Sequence, residues 1–83
     1  MKNDIFEQIK VEVVKCAMAL NDCADLKDVK RNHVNYGCLI TWQRIAQQMG
    51  HNTDTPVWED ENGCLRVPFI EIDSYKVEFH NGK

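Results

Sequence analysis

No apolar run in this chain approaches the ~18 residues that a bilayer-spanning helix needs, so no membrane span is expected. The first ten residues, MKNDIFEQIK, carry charge throughout and lack the apolar centre of a secretory signal. Positive charge is scarce as well. Ten Lys and Arg against thirteen Asp and Glu leave a net charge of −3, which argues against a general binder of nucleic acid or of membrane surfaces. The four glycines stand apart from one another, which excludes a phosphate-cradling loop. No internal repeat, low-complexity tract or linker divides the chain, so residues 1–83 read as a single small domain.

A core of this size supplies only about 3–5 kcal/mol unaided, so a metal, a disulfide or an oligomer contact is worth seeking. Cys16, Cys23, Cys38 and Cys64 show no CxxC or similar close pairing, and His33, His51 and His80 are equally scattered. A site drawn from Cys23, His33 and Cys38 is the best that these spacings offer. In a cytoplasmic chain, thiols stay reduced, and the simplest expectation is four buried thiols, with no metal and no cofactor.

What is present is helical periodicity followed by strand periodicity. Over residues 4–21, Phe6, Ile9, Val13, Cys16, Ala17 and Leu20 recur at the spacing of one helix face. Asp4 with Glu7 suits a capping start, and Glu7–Lys10 and Glu12–Lys15 are paired at i,i+3. Val11, Val14 and Met18 form a second apolar stripe that a helix burying one face does not need. Either a neighbouring element covers it, or it is a contact surface, open to self-association. Residues 24–34 read as a short second helix with Leu26 and Val29 inward and a basic cluster of Lys27, Lys30 and Arg31. Gly37 is a plausible break. A third helix over residues 40–50 then places Trp42, Ile45, Ala46 and Met49 on one face and Gln43, Arg44, Gln47 and Gln48 on the other, closing at Gly50.

In the last third, Asn62-Gly63 is a strong hairpin signal of type I′, which sets Glu59 opposite Arg66 and Trp58 opposite Val67. A second hairpin centred on Asp73-Ser74 sets Ile72 beside Tyr75, Glu71 opposite Lys76 and Ile70 opposite Val77. The two hairpins disagree about the inner face, and a bulge near Pro68 reconciles them. The fold expected is α+β, with two to three N-terminal helices packed on a C-terminal three-stranded antiparallel β-meander.

The stretch TWQRIAQQMGHN, residues 41–52, raises the question of DNA reading. If it led a helix-turn-helix, the recognition helix would be TPVWEDEN, whose three carboxylates are wrong for a phosphate-lined groove. The order helix, helix, helix, hairpin resembles the winged-helix family over most of the chain, without a diagnostic motif. That resemblance implies a regulator contacting DNA through Arg44, Gln47 and the cluster of Lys27, Lys30 and Arg31. The sequence departs from the family at its wing tip, Glu59-Asp60-Glu61, where Lys or Arg is wanted. Nucleic acid is therefore the alternative partner.

No nucleophile stands beside a base in any local motif, and the calcium-loop spacing is absent. The leading expectation is a non-enzymatic protein-interaction domain. Val11, Val14 and Met18 would form its apolar contact. Glu59, Asp60 and Glu61, with Asp54 nearby and no basic residue from Asp54 through Gly63, would meet a protein with a basic surface. A small inhibitor or adaptor of the kind carried by mobile genetic elements fits a chain of this size.

Overall fold

The computed structural model describes residues 4–23 and 26–82, the side chains of residues 4, 26 and 82 excepted. These residues form an α+β arrangement: two helices, a three-stranded antiparallel sheet, and a separate two-stranded ribbon. The first helix, α1, spans Asp4–Asn21, the span its apolar rhythm predicts. Ile9, Val13, Ala17 and Leu20 are fully buried, with Phe6 and Cys16 packed at the margin. Burying Ile9, Val13 and Leu20 is worth roughly 1.5–3 kcal/mol each, far more than the Lys10–Glu7 and Lys15–Glu12 pairs at 2.9 and 3.6 Å. The capping role of Asp4, residues 24 and 25 of the second predicted helix, and the inward placement of Leu26 lie outside the described side chains.

After a 3-10 turn at Leu26–Asp28, the second helix, α2, runs unbroken over Val29–Gln48. Gly37 does not interrupt it, so the predicted second and third helices are one. Glycine inside a helix costs about 1 kcal/mol, and the burial of Asn32, Leu39, Gln43 and Ala46 along one stripe outweighs it. The stripe is rotated from the one predicted. Gln43 faces inward, Trp42 and Ile45 are half-buried, and Met49 is exposed. The helix is stopped just beyond its cap, Met49, by Gly50, whose φ of +95° suits glycine. His51 N donates to Ala46 O and Gly50 N to Gln47 O, both at 3.0 Å, the paired bonds of a Schellman stop. Phe6 stacks on His51 with centroids 4.0 Å apart, joining the start of α1 to the end of α2.

The main sheet has the order β1 (Thr53–Asp54), β4 (Phe69–Ile72), β5 (Tyr75–Glu78). Its last hairpin has the predicted register: Ile72 faces Tyr75, Glu71 faces Lys76 and Ile70 faces Val77. Asp73 turns it with φ +54°, a conformation Asp tolerates. Ile70 and Ile72 are buried beneath the helices together with Val67 and Phe79. The third strand is β1, paired with β4, and not the preceding hairpin of a meander.

That hairpin stands apart as a ribbon of β2 (Trp58–Glu59) and β3 (Leu65–Arg66). Its register is one residue off the prediction: Trp58 faces Arg66 and Glu59 faces Leu65. Gly63 N donates to Asp60 O and Asp60 N to Cys64 O, with Gly63 at φ +87°. A three-residue loop with glycine in the left-handed position has replaced the two-residue type I′ turn. The conflict of faces at Pro68 is resolved by a change of sheet, not by a bulge within one.

The expectation of four buried thiols is corrected. Cys23, just beyond α1, is disulfide-bonded to Cys64, just before β3, across 41 residues of sequence. Cys16 is a half-buried thiol and Cys38 an exposed one. Among the described residues no helix is long and apolar enough to cross a membrane.

Candidate functional site

The ribbon has too few residues to hold itself, since even a full two-stranded hairpin is marginal in water. The helices hold it through side chains. Asn32 on α2 donates to the carbonyls of Leu65 and Leu20, both at 3.0 Å, and accepts Leu65 N at 2.7 Å. Asn21, the last residue of α1, does the same for Val67, donating to its carbonyl at 2.9 Å and accepting its N–H at 2.8 Å. Both asparagines are buried. Their amides substitute for a neighbouring strand along β3, satisfying backbone groups that would otherwise be buried without partners.

Arg66 completes the clamp. Its Nε donates to Asp60 Oδ2 at 3.0 Å, while its terminal nitrogens donate to the carbonyls of Asn21 and Cys23. A guanidinium at the end of α1 satisfies carbonyls the helix leaves open and suits its negative pole. Asp60 also accepts the N–H groups of Asn62 and Cys64 at 2.9 and 3.0 Å. Desolvation alone would raise its carboxyl pKa. The bonds from Cys64, Arg66 and Asn62 outweigh that and hold it below the ordinary carboxylate range. His33 reaches Gly63 O at 3.0 Å, and the Cys23–Cys64 bridge ties the same turn to the end of α1.

The acidic trio is thereby divided. Glu59 and Glu61 are exposed, whereas Asp60 is committed to the turn. Trp58, beside Glu59, is 41% exposed, unlike Trp42, which packs against the core. The apolar stripe on α1 is divided too. Val14 leans on the core, but Val11 and Met18 are 50% and 55% exposed. No described helix or strand covers them, so the reading in which a neighbouring element buries both faces of α1 does not hold.

The basic residues do not converge. Lys27, in the 3-10 turn, and Lys30 and Arg31, at the start of α2, are exposed, and Arg31 is paired with Asp28 at 2.8 Å. Arg44 and Gln47 lie near the other end, roughly 20 Å away at 1.5 Å per residue, and Gln47 donates to Thr53 Oγ1 at 2.7 Å. With one helix where the winged-helix order has two, there is no separate recognition helix among the described residues.

His51 Nδ1 lies 2.7 Å from Asp73 Oδ2, and Asp73 Oδ1 accepts Asn52 N at 3.0 Å. Those bonds, first that from Asn52 and then that from His51, lower the Asp73 pKa. Cys38 sits about ten residues before the end of α2, ~15 Å along its axis from the end that carries His51, too far to be paired with that imidazole. Its neighbour Cys16 has a thiol pKa raised by burial, then by Cys38 and Glu12, with Lys15 opposing; such a thiol is less nucleophilic at neutral pH. The trio Cys23, His33 and Cys38 does not form a metal site: Cys23 is bridged and His33 is turned to the Gly63 carbonyl. Among the described residues no group of three metal-ligating side chains assembles.

The clamp residues Asn21, Asn32, Asp60 and Arg66 carried no motif. The available signal was that Asn32 shares a helical stripe with Leu39, Gln43 and Ala46, a polar residue on a burying face. Comparison with protein-family models, with curated proteins and with solved structures finds no match to this chain.

Proposed function

We propose that this chain is a non-enzymatic protein-interaction domain whose contact element is the clamped ribbon, presenting Trp58 together with the carboxylates of Glu59 and Glu61. The observation that carries the reading is the clamp itself. Two buried asparagines, an arginine and a disulfide hold a ribbon of two-residue strands whose outer end is polar and solvent-facing. A contact element fixed before binding loses little conformational entropy when it docks. Tryptophan is favoured at binding hot spots, and the exposed carboxylates of Glu59 and Glu61 steer the ribbon towards a basic surface on the partner protein. A small inhibitor or adaptor, of the kind mobile genetic elements carry, would use such an element.

The cytoplasmic setting belongs to this proposal and is open to direct measurement. A cytoplasmic home requires that the Cys23–Cys64 bridge resist reduction by the thiol pool. Acid-quenched alkylation of the two cysteines in cells reads their state.

The test is affinity capture from nuclease-treated native lysate, using the wild-type chain and a Trp58→Ala/Glu59→Lys/Glu61→Lys variant. A stoichiometric protein retained by the first and lost by the second supports the reading. Equal capture by both overturns it. Asp60 is left intact, because reversing it would dismantle the turn and mimic loss of a contact.

A further inference from the structure

We propose that β5 is a self-complementary edge through which two copies of this chain pair antiparallel, with a two-fold axis passing beside Val77. β5 is the last strand of the sheet, and among the described residues no strand lies beyond it. An uncovered edge offers unpaired N–H and C=O groups to another chain.

Which groups point outward follows from the ladder. Ile72 and Tyr75 close the two-residue turn, and Ile70 faces Val77 two residues on. Phe79 N, two further on, donates inward to Pro68 O at 2.9 Å. Backbone direction alternates along a strand, so Tyr75, Val77 and Phe79 bond within the chain while Lys76 and Glu78 present their N–H and C=O groups outside. A symmetric antiparallel pair must therefore be centred beside Lys76, Val77 or Glu78. Centring on Lys76 sets two lysines face to face, and centring on Glu78 sets two glutamates so; like charges directly opposite are destabilising. Only the register centred on Val77 places each Lys76 opposite the partner copy's Glu78, as hydrogen-bonded pairs giving four backbone bonds. Lysine on an edge ordinarily discourages pairing; Glu78, two residues away on the same face, turns that guard into a complement.

The other face of the strand agrees. In this register Val77 meets its own copy, and Tyr75 lies opposite the partner copy's Phe79, all on the side covered by α1. Lys10 on α1 lies 4.8 Å from the Tyr75 ring centroid, so this side of α1 overlies β5. Val14 and Met18 come one step further round the helix, away from α2, and Met18 lines a shared groove with Glu78 and Phe79. The axis that joins the strands brings the exposed flank of one α1, with Val11 and Met18, towards that of the other. The occupant is a second copy because the edge matches its own reversed charge order, and the apolar flank lies above that edge.

The pairing surface is the α1 flank and β5, not the ribbon on which the proposed function rests, so the two can fail separately. Sedimentation equilibrium on the full chain at rising concentration, up to millimolar, is the experiment. The wild type is expected to dimerise. Lys76→Glu and Glu78→Lys each turn two attractive pairs into two repulsive ones and should each weaken the dimer by roughly tenfold or more. Mixed in equal amounts, the two variants should form a heterodimer, because their edges are then opposite in charge throughout. That recovery also shows that both are folded. A wild type that stays monomeric, a dimer indifferent to both substitutions, or variants that fail to recover on mixing overturns the proposal. Glu59→Lys/Glu61→Lys, which probes the ribbon, should leave the dimer unchanged.

Discussion

Asn32 shows what a single uncharged side chain can decide. Its amide makes three hydrogen bonds to the backbone of two separate elements while almost fully buried. Removing it leaves the Leu65 N–H and two carbonyls without those partners, and an orphaned buried polar group costs about 1–3 kcal/mol. Asn32→Ala should therefore destabilise the chain by about 3 kcal/mol in urea unfolding, and Asn32→Asp by a similar amount, since a carboxylate cannot donate to Leu20 or Leu65. A loss below about 1 kcal/mol would show that the ribbon does not depend on its clamp.

Acid sensitivity belongs to the same scale. Asp60 and Asp73 have folded pKa values below the ordinary one, so protonation disfavours the fold. Their contribution is present above the unfolded carboxylate value of about 3.9 and is lost as pH falls through the folded values. Urea midpoints should be level down to about pH 5 and decline below about pH 4. Asp73→Asn should make that decline shallower; an unchanged acid slope would show that the Asp73 bonds to Asn52 and His51 do not persist in solution.

Among the elements, α2 most clearly separates local preference from tertiary demand. Gly37 sits mid-helix with nothing beyond its own stretch of helix within 4 Å of where a Cβ would be and without a positive φ. Nothing there needs glycine. Gly37→Ala should stabilise the chain by about 1 kcal/mol, through helix propensity and a less flexible unfolded state. A destabilised Gly37→Ala would mean that the helix does break there. α1 was legible to the residue because its apolar period runs through 18 positions. The Asp73 hairpin was legible because its cross-strand pairs of charge and bulk admit one register. The ribbon was misread by one residue because Asn62-Gly63 signals a tight turn, whereas the Asp60 carboxylate accepts Asn62 N and Cys64 N and stabilises a longer one. β1 was invisible: two residues, Thr53 and Asp54, carry no period, and only pairing with β4 makes them a strand.

The whole molecule is small for one that rests on a single core. A small core needs a staple, and the Cys23–Cys64 bridge supplies one. Closing a 41-residue span removes unfolded-state entropy worth about 4 kcal/mol in the chain-entropy model, comparable to the core's own unaided yield. Full reduction should lower unfolding free energy by about that amount, read as the denaturant midpoint with and without reductant. An unchanged midpoint would mean that the clamp of Asn21, Asn32 and Arg66 alone sets the position of the ribbon.

The sequence by itself determined the class of the fold, the bounds and inner face of α1, the stop at Gly50 and the register of the last hairpin. Each of these is set by interactions among residues close in the chain, through period, φ preference or directly opposed side chains. Only the tertiary structure decided that α2 passes through Gly37, that Cys23 meets Cys64, that Asp60 belongs to the turn while Glu59 and Glu61 face solvent, and that β5 ends the sheet. Those outcomes depend on residues far apart in sequence, whose packing and hydrogen bonds outweigh the local preferences of glycine, cysteine and aspartate.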